Sequence, residues 1–561
     1  MKPEKFLPST TPSRRSAPPM RPEVVRPLPL GRLNAVLQQL GLPPMVPAPG
    51  AAVDWELTVT GLSIDSRAVE PGDLYVALPG ARAHGAQFAA VAAAAGAAAM
   101  LTDEDGARLA AAQDLGGLPV LLARNLRALV GPLSAAVFDS QPGQGPRPVL
   151  FGVTGTNGKT TTTYFVNSLL RALGRTTGLI GTIEILAGGE PVPSALTTPE
   201  SPQVHGILAL MRERGLDAAA MEVSSHAVSY RRVDGVVYDV AGFTNLTQDH
   251  LDLHGSMDEY FETKAELFTP ARARRAVVCV DDAWGRTLAA RLDEGGAVPV
   301  LTLSTAAQPA TGPETADWSV QALVRDGLGH RFELHGPEGA RLRLRTGLPG
   351  TFNVANAALA AVMVLASGVE PRVLQQACDA HDPFTIEVPG RMQLVGRRPA
   401  AIVDFAHNPD ALERTISSVR TPGTDARVIV VFGATGERDA GKRPLMGAIA
   451  ARLADVVVVT DDDPHGEDPA AIRREVMAGA LAARQQEQLA TEILEVFPRA
   501  AAIERAVALA GPADTVLVAG RGHEVWQDVN GENLAFDDRV ELREALRRHG
   551  FEVAEGDTVK S

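Results

Sequence analysis

An apolar run, Val149-Leu150-Phe151, feeds into Gly155-Thr156-Asn157-Gly158-Lys159-Thr160-Thr161-Thr162, and this junction constrains the fold more than any other stretch of the 561-residue chain. Beyond it Phe165, Val166, Leu169, Leu170 and Leu173 recur at helical spacing until Gly174 ends the pattern. A strand, a glycine turn and a helix N-terminus aim unpaired backbone N–H groups and the positive end of the helix dipole at a phosphate. Lys159 adds a point charge, and the Thr160 hydroxyl is placed to reach Mg²⁺. The spacing departs from the regular pattern at Val153, where a glycine is usual; Gly152 and Gly155 flank it. The sequence implies a site for ATP or GTP.

Composition narrows the class. A net charge of -14 argues against non-specific nucleic-acid binding, which needs clustered positive charge. The two cysteines, Cys279 and Cys378, have no partners at metal-ligand spacing, which fits a reducing cytoplasm and excludes a structural zinc. The alanine-rich stretch from Phe88 to Leu101 is too short and too poor in large apolar residues to insert in a membrane. Residues 1–27 are proline-rich and basic with no apolar core of a secretory signal, and are expected to be a disordered tail, with Met20 as an alternative start.

Three segments follow. Residues 28–146 mix short strands, Leu57-Thr58-Val59 and Leu74 to Leu78, with an alanine-rich helix, and end in a Pro/Gly linker, Gln141 to Pro146. Residues 147–388 alternate apolar strands with amphipathic helices, which indicates parallel βαβ units, and carry a hairpin-like insert turned at Gly336-Pro337-Glu338-Gly339. Residues 389–550 hold buried-strand runs at Val428 to Phe432, Val456 to Val459 and Val516 to Val518, spaced as in a dinucleotide-fold-like sheet. The fold class is α/β.

Three features after the phosphate loop suggest a metal-assisted transfer site. Glu222 ends the apolar stretch from Ala218 to Met221, at the edge where parallel sheets bind ligands. Asn245, Asp249, His250 and Asp252 cluster beyond another apolar strand. Ser256 and Glu259 form a capping box, and the helix it opens sets Lys264 on the same stripe as Met257, Tyr260, Phe261, Leu267 and Phe268. A core-facing lysine must be paired or neutral. One outlet is a salt bridge, for instance to Glu222; another is addition of CO₂ to a neutral amine, which turns the cation into a carboxylate-like metal ligand.

The loop Gly155 to Thr162, Glu222-Val223-Ser224-Ser225-His226, the Asp249-His250-Leu251-Asp252 cluster and Gly350 to Asn356 together resemble the Mur ligases, ATP-dependent amide-forming enzymes of peptidoglycan precursor synthesis. Asp65-Ser66-Arg67, Leu196-Thr197-Thr198-Pro199, Gly441 to Met446 and Gly520-Arg521-Gly522-His523-Glu524 extend the resemblance from Leu57 to Val540, and point to the members that add the third peptide residue. It implies three domains: UDP-binding, central ATPase, and a C-terminal dinucleotide-fold-like domain. It implies further that Ser66 contacts the UDP end, that Thr197, Thr198, Ser224 and Arg232 hold the muramyl-peptide, and that Thr160, Glu222 and His250 organise Mg²⁺. Lys264 would be carbamylated, while Asn353, Arg391 and Asp404 join the phosphate loop in binding ATP. The implied partners are UDP-muramyl-dipeptide and a free diamino acid, acted on by a monomer.

The resemblance also frames selectivity. Asp461-Asp462-Asp463-Pro464-His465 aligns with a stretch that reads Asp-Asn-Pro-Arg in diaminopimelate-adding members, whose arginine meets the distal carboxylate. With His465 for arginine and Asp463 for asparagine, the site loses a cation and gains an anion, so lysine or ornithine is expected ahead of diaminopimelate. Arg438 would bind the α-carboxylate, and Gly520 and Glu524 would help to hold the amines. A folylpolyglutamate synthase is the nearest rival enzyme, and a nucleotide-binding module without ligase chemistry is the rival from another class.

Overall fold

The computed structural model describes residues 20–80, 83–143, 145–192, 198–305, 316–420 and 425–554. Thr197, the side chain of Asp252 and the tail up to residue 19 lie outside the described residues. Three sheets succeed one another along the chain. The first has five strands, with Gly61–Ser63, Asp73–Val76, Ala99–Thr102 and Val120–Leu122 parallel and Val46–Pro47 antiparallel at one edge. The alanine-rich run does not make one helix. It gives the helix Ala89–Ala94 and then the buried strand Ala99–Thr102, separated at Gly96, whose φ of 92° an alanine resists. Residues 20–27, expected in a disordered tail, are instead pinned. Arg21 bonds Asp73 at 2.8 Å, and the backbone N–H groups of Glu23 and Val24 both donate to Glu213 at 3.0 Å.

The central sheet has eleven strands. Its parallel core runs Thr177–Ile180, Ala218–Glu222, Val149–Thr154, Val240–Phe243, Ala276–Cys279, Val300–Ser304 and Trp318–Asp326. Ala218–Glu222, Val240–Phe243 and Ala276–Cys279 are buried along their whole length, as parallel strands covered on both faces are. Helices Lys159–Ala172 and Thr351–Ala366 pack together on one face, burying Phe165, Leu169, Val362 and Met363 completely. The hairpin insert is present as Gly329–His335 paired antiparallel with Arg341–Thr346. Cys279 is buried in its strand, and burial pushes its thiol well above the usual range, so it is chemically inert.

The third sheet has seven strands, ordered Glu492–Glu495, Val456–Val459, Val428–Phe432, Thr515–Ala519, Ala400–Asp404, Gln393–Arg398 and Glu552–Val553. The first five are parallel. The last parallel strand in sequence, Thr515–Ala519, inserts between the first two, so the connections diverge there and open a crevice at the carboxyl ends. The loops Phe405–Asn408, Thr435–Lys442, Thr460–His465 and Gly520–Glu524 all leave from that edge. They face the carboxyl edge of the central sheet across a cavity of about 1370 Å³ lined from both sheets.

Candidate active site

The phosphate loop needs its glycines. Gly155 and Gly158 have φ of 141° and 90°, and a β-carbon on either would collide, with the Thr244 hydroxyl or the Asn356 side-chain oxygen. The loop is laced to the next strand end: Asn157 N–H donates to Asn245 Oδ1 at 3.0 Å, and Thr244 Oγ1 donates to the Asn157 carbonyl at 2.7 Å. Thr160 Oγ1 lies 3.0 Å from Glu222 Oε2, and Glu222 is fully buried. Thr182 fixes the same carboxylate with its N–H and its hydroxyl, each at 2.9 Å. Among the described residues no group of three or more acidic, histidine or cysteine side chains could hold a metal alone. Mg²⁺ does not require one, since it takes one or two protein oxygens and completes its shell with phosphates and water. A buried carboxylate touching a hydroxyl at the mouth of a phosphate loop fits that ion.

Two lysines converge on one carbonyl. Lys159 Nζ donates to the Gly155 and Thr156 carbonyls at 3.1 and 2.8 Å, and Lys264 Nζ donates to the Gly155 carbonyl at 2.8 Å. Lys264 does not pair with Glu222, as the sequence allowed. It is buried, its Nζ 4.6 Å from the Tyr260 ring centre, and desolvation reinforced by the Lys159 charge drives its pKa well below the usual lysine value. The capping box ahead of it forms on one side, Ser256 Oγ accepting from Glu259 N–H. His250 has a left-handed backbone, φ 53°, and its ring stands edge-on to His226 at 4.8 Å. Burial pushes His250 down to about 3, with Asp249 opposing, so the imidazole is neutral and able to ligate.

Across the cavity, Arg391 reaches from the second boundary to the phosphate loop, its Nη2 3.2 Å from Thr160 Oγ1. Its guanidinium covers the Phe405 ring at 4.3 Å. Asp404 accepts from Met392 N–H at 2.7 Å, and burial raises its pKa. Asn408, fully buried, donates to Asn157 Oδ1 and to Asp249 Oδ2, each at 3.2 Å. Asp410 accepts from Asn157 Nδ2 at 2.8 Å. The phosphate loop and the third sheet are thus hydrogen-bonded to each other.

The selectivity stretch is corrected by its surroundings. Asp463 is not a free anion, because the fully buried Arg521 guanidinium bonds it. His465 is not a free substitute for arginine either. Its backbone is left-handed, φ 50°, and its Nδ1 lies 3.1 Å from Asp528 Oδ2. The charge balance inferred from residues 463 and 465 alone therefore does not describe the site.

Of the residues expected here, Thr156 to Thr161, Glu222, Ser224, Arg232, His250, Asn353, Arg391, Asp404, Arg438, Asp463, His465, Gly520 and Glu524 line the one cavity. Gly155 and Lys264 sit just behind the loop. Thr198 is buried, its hydroxyl 3.2 Å from the Glu222 carbonyl, and Arg232 is held by Glu200 at 2.9 Å. Asn353 spends its amide on the Pro349 carbonyl at 2.7 Å. Ser66 lies beside the first sheet, outside the cavity lining. Sequence reasoning gave no role to Thr182, Asn408, Lys442 or Arg521. Thr182 and Asn408 follow the strands Thr177–Ile180 and Ala400–Asp404, so the strand-end rule that found Glu222 would have found them.

Family profiles match three stretches: Mur ligase family, catalytic domain, over residues 58–128; Mur ligase middle domain over 153–364; and Mur ligase, glutamate ligase domain, over 390–522. The chain belongs to the Mur ligase family. It is 44% identical over 532 residues, 94% of this chain and 98% of the relative, to the UDP-N-acetylmuramoyl-L-alanyl-D-glutamate–2,6-diaminopimelate ligase of Streptomyces avermitilis. It is 44% identical over 495 residues, 88% of this chain and 92% of the relative, to the UDP-N-acetylmuramyl-tripeptide synthetase of Leifsonia xyli subsp. xyli. A solved structure of a UDP-N-acetylmuramoyl-L-alanyl-D-glutamate–2,6-diaminopimelate ligase superposes with a TM-score of 0.61 at 27% identity, covering 94% of this chain and 100% of its own. The folylpolyglutamate synthase and non-catalytic alternatives are set aside by these full-length matches. The preference for lysine or ornithine finds no support among them.

Proposed function

We propose that the chain joins 2,6-diaminopimelate to UDP-N-acetylmuramoyl-L-alanyl-D-glutamate at the expense of ATP, as a monomer in the cytoplasm, during peptidoglycan precursor synthesis. One observation carries the reading. The Thr160–Glu222 pair, 3.0 Å apart at the phosphate loop, shares a cavity with Arg438, Asp463 and Glu524 of the third sheet. Triphosphate, acid and amine can therefore meet in one place.

A carboxylate does not react with an amine at neutral pH, so the acid must first be activated. The peptide's terminal carboxylate oxygen attacks the γ-phosphorus, the bond to the β,γ-bridging oxygen breaks, and ADP leaves. The loop N–H groups and Lys159 hold the charge that shifts onto ADP. Thr160 and Glu222 would hold Mg²⁺, which would supply further neutralisation. The neutral α-amine then attacks the acyl carbon, loses its proton, and expels phosphate. Ser224, Arg232 and the Thr197-Thr198 pair hold the peptide; Asn353, Arg391 and Asp404 serve ATP; Ser66 serves the UDP end. Lys264, whose pKa burial lowers, would add CO₂ at a neutral Nζ, losing a proton to become a carbamate, and would then offer metal a second carboxylate. Arg438 takes the α-carboxylate of the incoming amino acid.

The test is ADP release by purified protein given ATP, Mg²⁺ and UDP-muramyl-dipeptide, with diaminopimelate, lysine and ornithine offered separately. Release that needs both the dipeptide and an amino acid, fastest per unit KM with diaminopimelate, is expected. Release without either partner would refute the ligase reading. A higher kcat/KM with lysine or ornithine would refute the choice of amino acid.

A further inference from the structure

Three of the carboxylates that the third sheet's side turns to the cavity, Asp462, Asp463 and Glu524, stand together. Directly behind them is one guanidinium, Arg521, which is fully buried and does not line the cavity itself. Its Nη1 bonds Asp463 and stands 3.7 Å from Glu524 Oε2 and 4.0 Å from Asp462 Oδ1. Its Nη2 donates to the Trp526 carbonyl, and its Nε has no hydrogen-bond partner. Asp462 Oδ2 likewise has none. Of the other cations nearby, Arg499 is paired with Asp538 at 2.7 Å while its charge also reaches Asp462 and Asp463, His465 is paired with Asp528 at 3.1 Å, and the charge of Arg391 reaches Glu524.

Burying a guanidinium with an orphaned N–H is a poor way to stabilise a fold, since desolvation offsets most of the gain. What it changes is the field in the pocket. An unpaired Asp463 would repel any carboxylate brought to the wall, and at low effective dielectric one charge at contact range outweighs a tenfold preference. Burial and the neighbouring Asp462 already raise Asp463 and Glu524, and Arg521 opposes both shifts.

We infer that Arg521 is the specificity-determining positioning residue for the added amino acid: it cancels the Asp463 carboxylate from behind, so that Glu524 can face an ammonium while a carboxylate on the same amino acid is tolerated. This rests on the ligase reading above. It gives Arg521 and Asp463 opposite signs. Arg521→Met unmasks Asp463, and the kcat/KM ratio of diaminopimelate to lysine falls about tenfold. Asp463→Asn frees the guanidinium, and the same ratio rises. The double variant returns towards wild type, because an asparagine needs no cation behind it.

The experiment measures kcat/KM for both amino acids, and KM for ATP and the UDP-dipeptide, in wild type and the three variants. Ratios that move in opposite directions, with KM for the other two substrates within about twofold, are expected. Equal losses for both amino acids, or the same direction in both single variants, would overturn the inference. Should Arg521→Met not fold, the sign of Asp463→Asn decides alone. A wild type that joins neither amino acid overturns the ligase reading itself, whereas a wild type that prefers lysine leaves the two signs to be read.

Discussion

The fold moves the ionisation of both Lys264 and Glu524 in the direction the proposed chemistry needs. Burial and the Lys159 charge push Lys264 well below the usual lysine range, the direction that CO₂ addition at Nζ requires. Lys264→Ala is expected to lower kcat about a hundredfold or more, while short-chain carboxylic acids restore part of it by standing in for the carbamate. Alanine-variant turnover close to wild type, with an unchanged melting temperature, would remove the assigned role. Glu524 is pushed up to about 8 by burial first, then by Asp462 and Asp463, with Arg521 and Arg391 opposing. Below that pH the free enzyme carries it protonated, so an incoming ammonium must displace a proton. Amino-acid affinity should fall by up to about tenfold per pH unit as the pH drops below 8, and should flatten above it. Stability runs the other way with pH: the raised pKa penalises the folded state progressively as pH rises from 4.5 to about 8. Calorimetry in two buffers of different ionisation enthalpy reads the proton release directly. A pH-independent affinity would show that Glu524 does not meet the amine.

The strand Val149–Thr154, its loop and the helix Lys159–Ala172 were legible as a unit, because the glycine spacing, the lysine and the helical apolar repeat all agree locally. Gly158→Ala tests that unit. The φ of 90° and the adjacent Asn356 oxygen leave no room for a methyl group. ATP affinity should drop about tenfold or more in a binding isotherm, with far-UV dichroism unchanged, because the loop re-forms with its N–H groups off target. An unaltered affinity would show that the loop does not depend on that conformation. The alanine-rich stretch holds the expected helix, Ala89–Ala94, but where it stops was not legible. Alanine favours helix by propensity, but Ala99 to Thr102 is paired on both sides in the first sheet, and strand pairing overrides propensity.

At the scale of the whole molecule, the third sheet is fastened to the phosphate loop through Asn408, Asp410, Asn157 and Asp249. Asn408→Asp keeps the helix-capping acceptor for Ala411 N–H but turns an amide donor into a carboxylate facing Asp249. The two sheets should separate. An increased radius of gyration in solution scattering and a KM for ATP raised about tenfold are expected, with the melting temperature nearly unchanged. Scattering and KM equal to wild type would show that this contact does not hold the sheets together. No such fastening could be read from residues 251 positions apart. Nor could the capture of residues 20–27 by Asp73 and Glu213, since a proline-rich basic run carries no local signal of its partners.

The chain's own order of residues determined the strand–loop–helix unit, the alternation of strands and helices, and the candidates Glu222, His250 and Lys264, because each depends on neighbours close in sequence. Tertiary structure alone decided where charge is free and where it is spent. Lys264 turned to the Gly155 carbonyl rather than to Glu222, and Asp463 and His465 were paired away by Arg521 and Asp528. The reason is electrostatic. A buried charge is governed by whatever group lies within a few ångströms, and for Asp463 that group is 58 residues away along the chain.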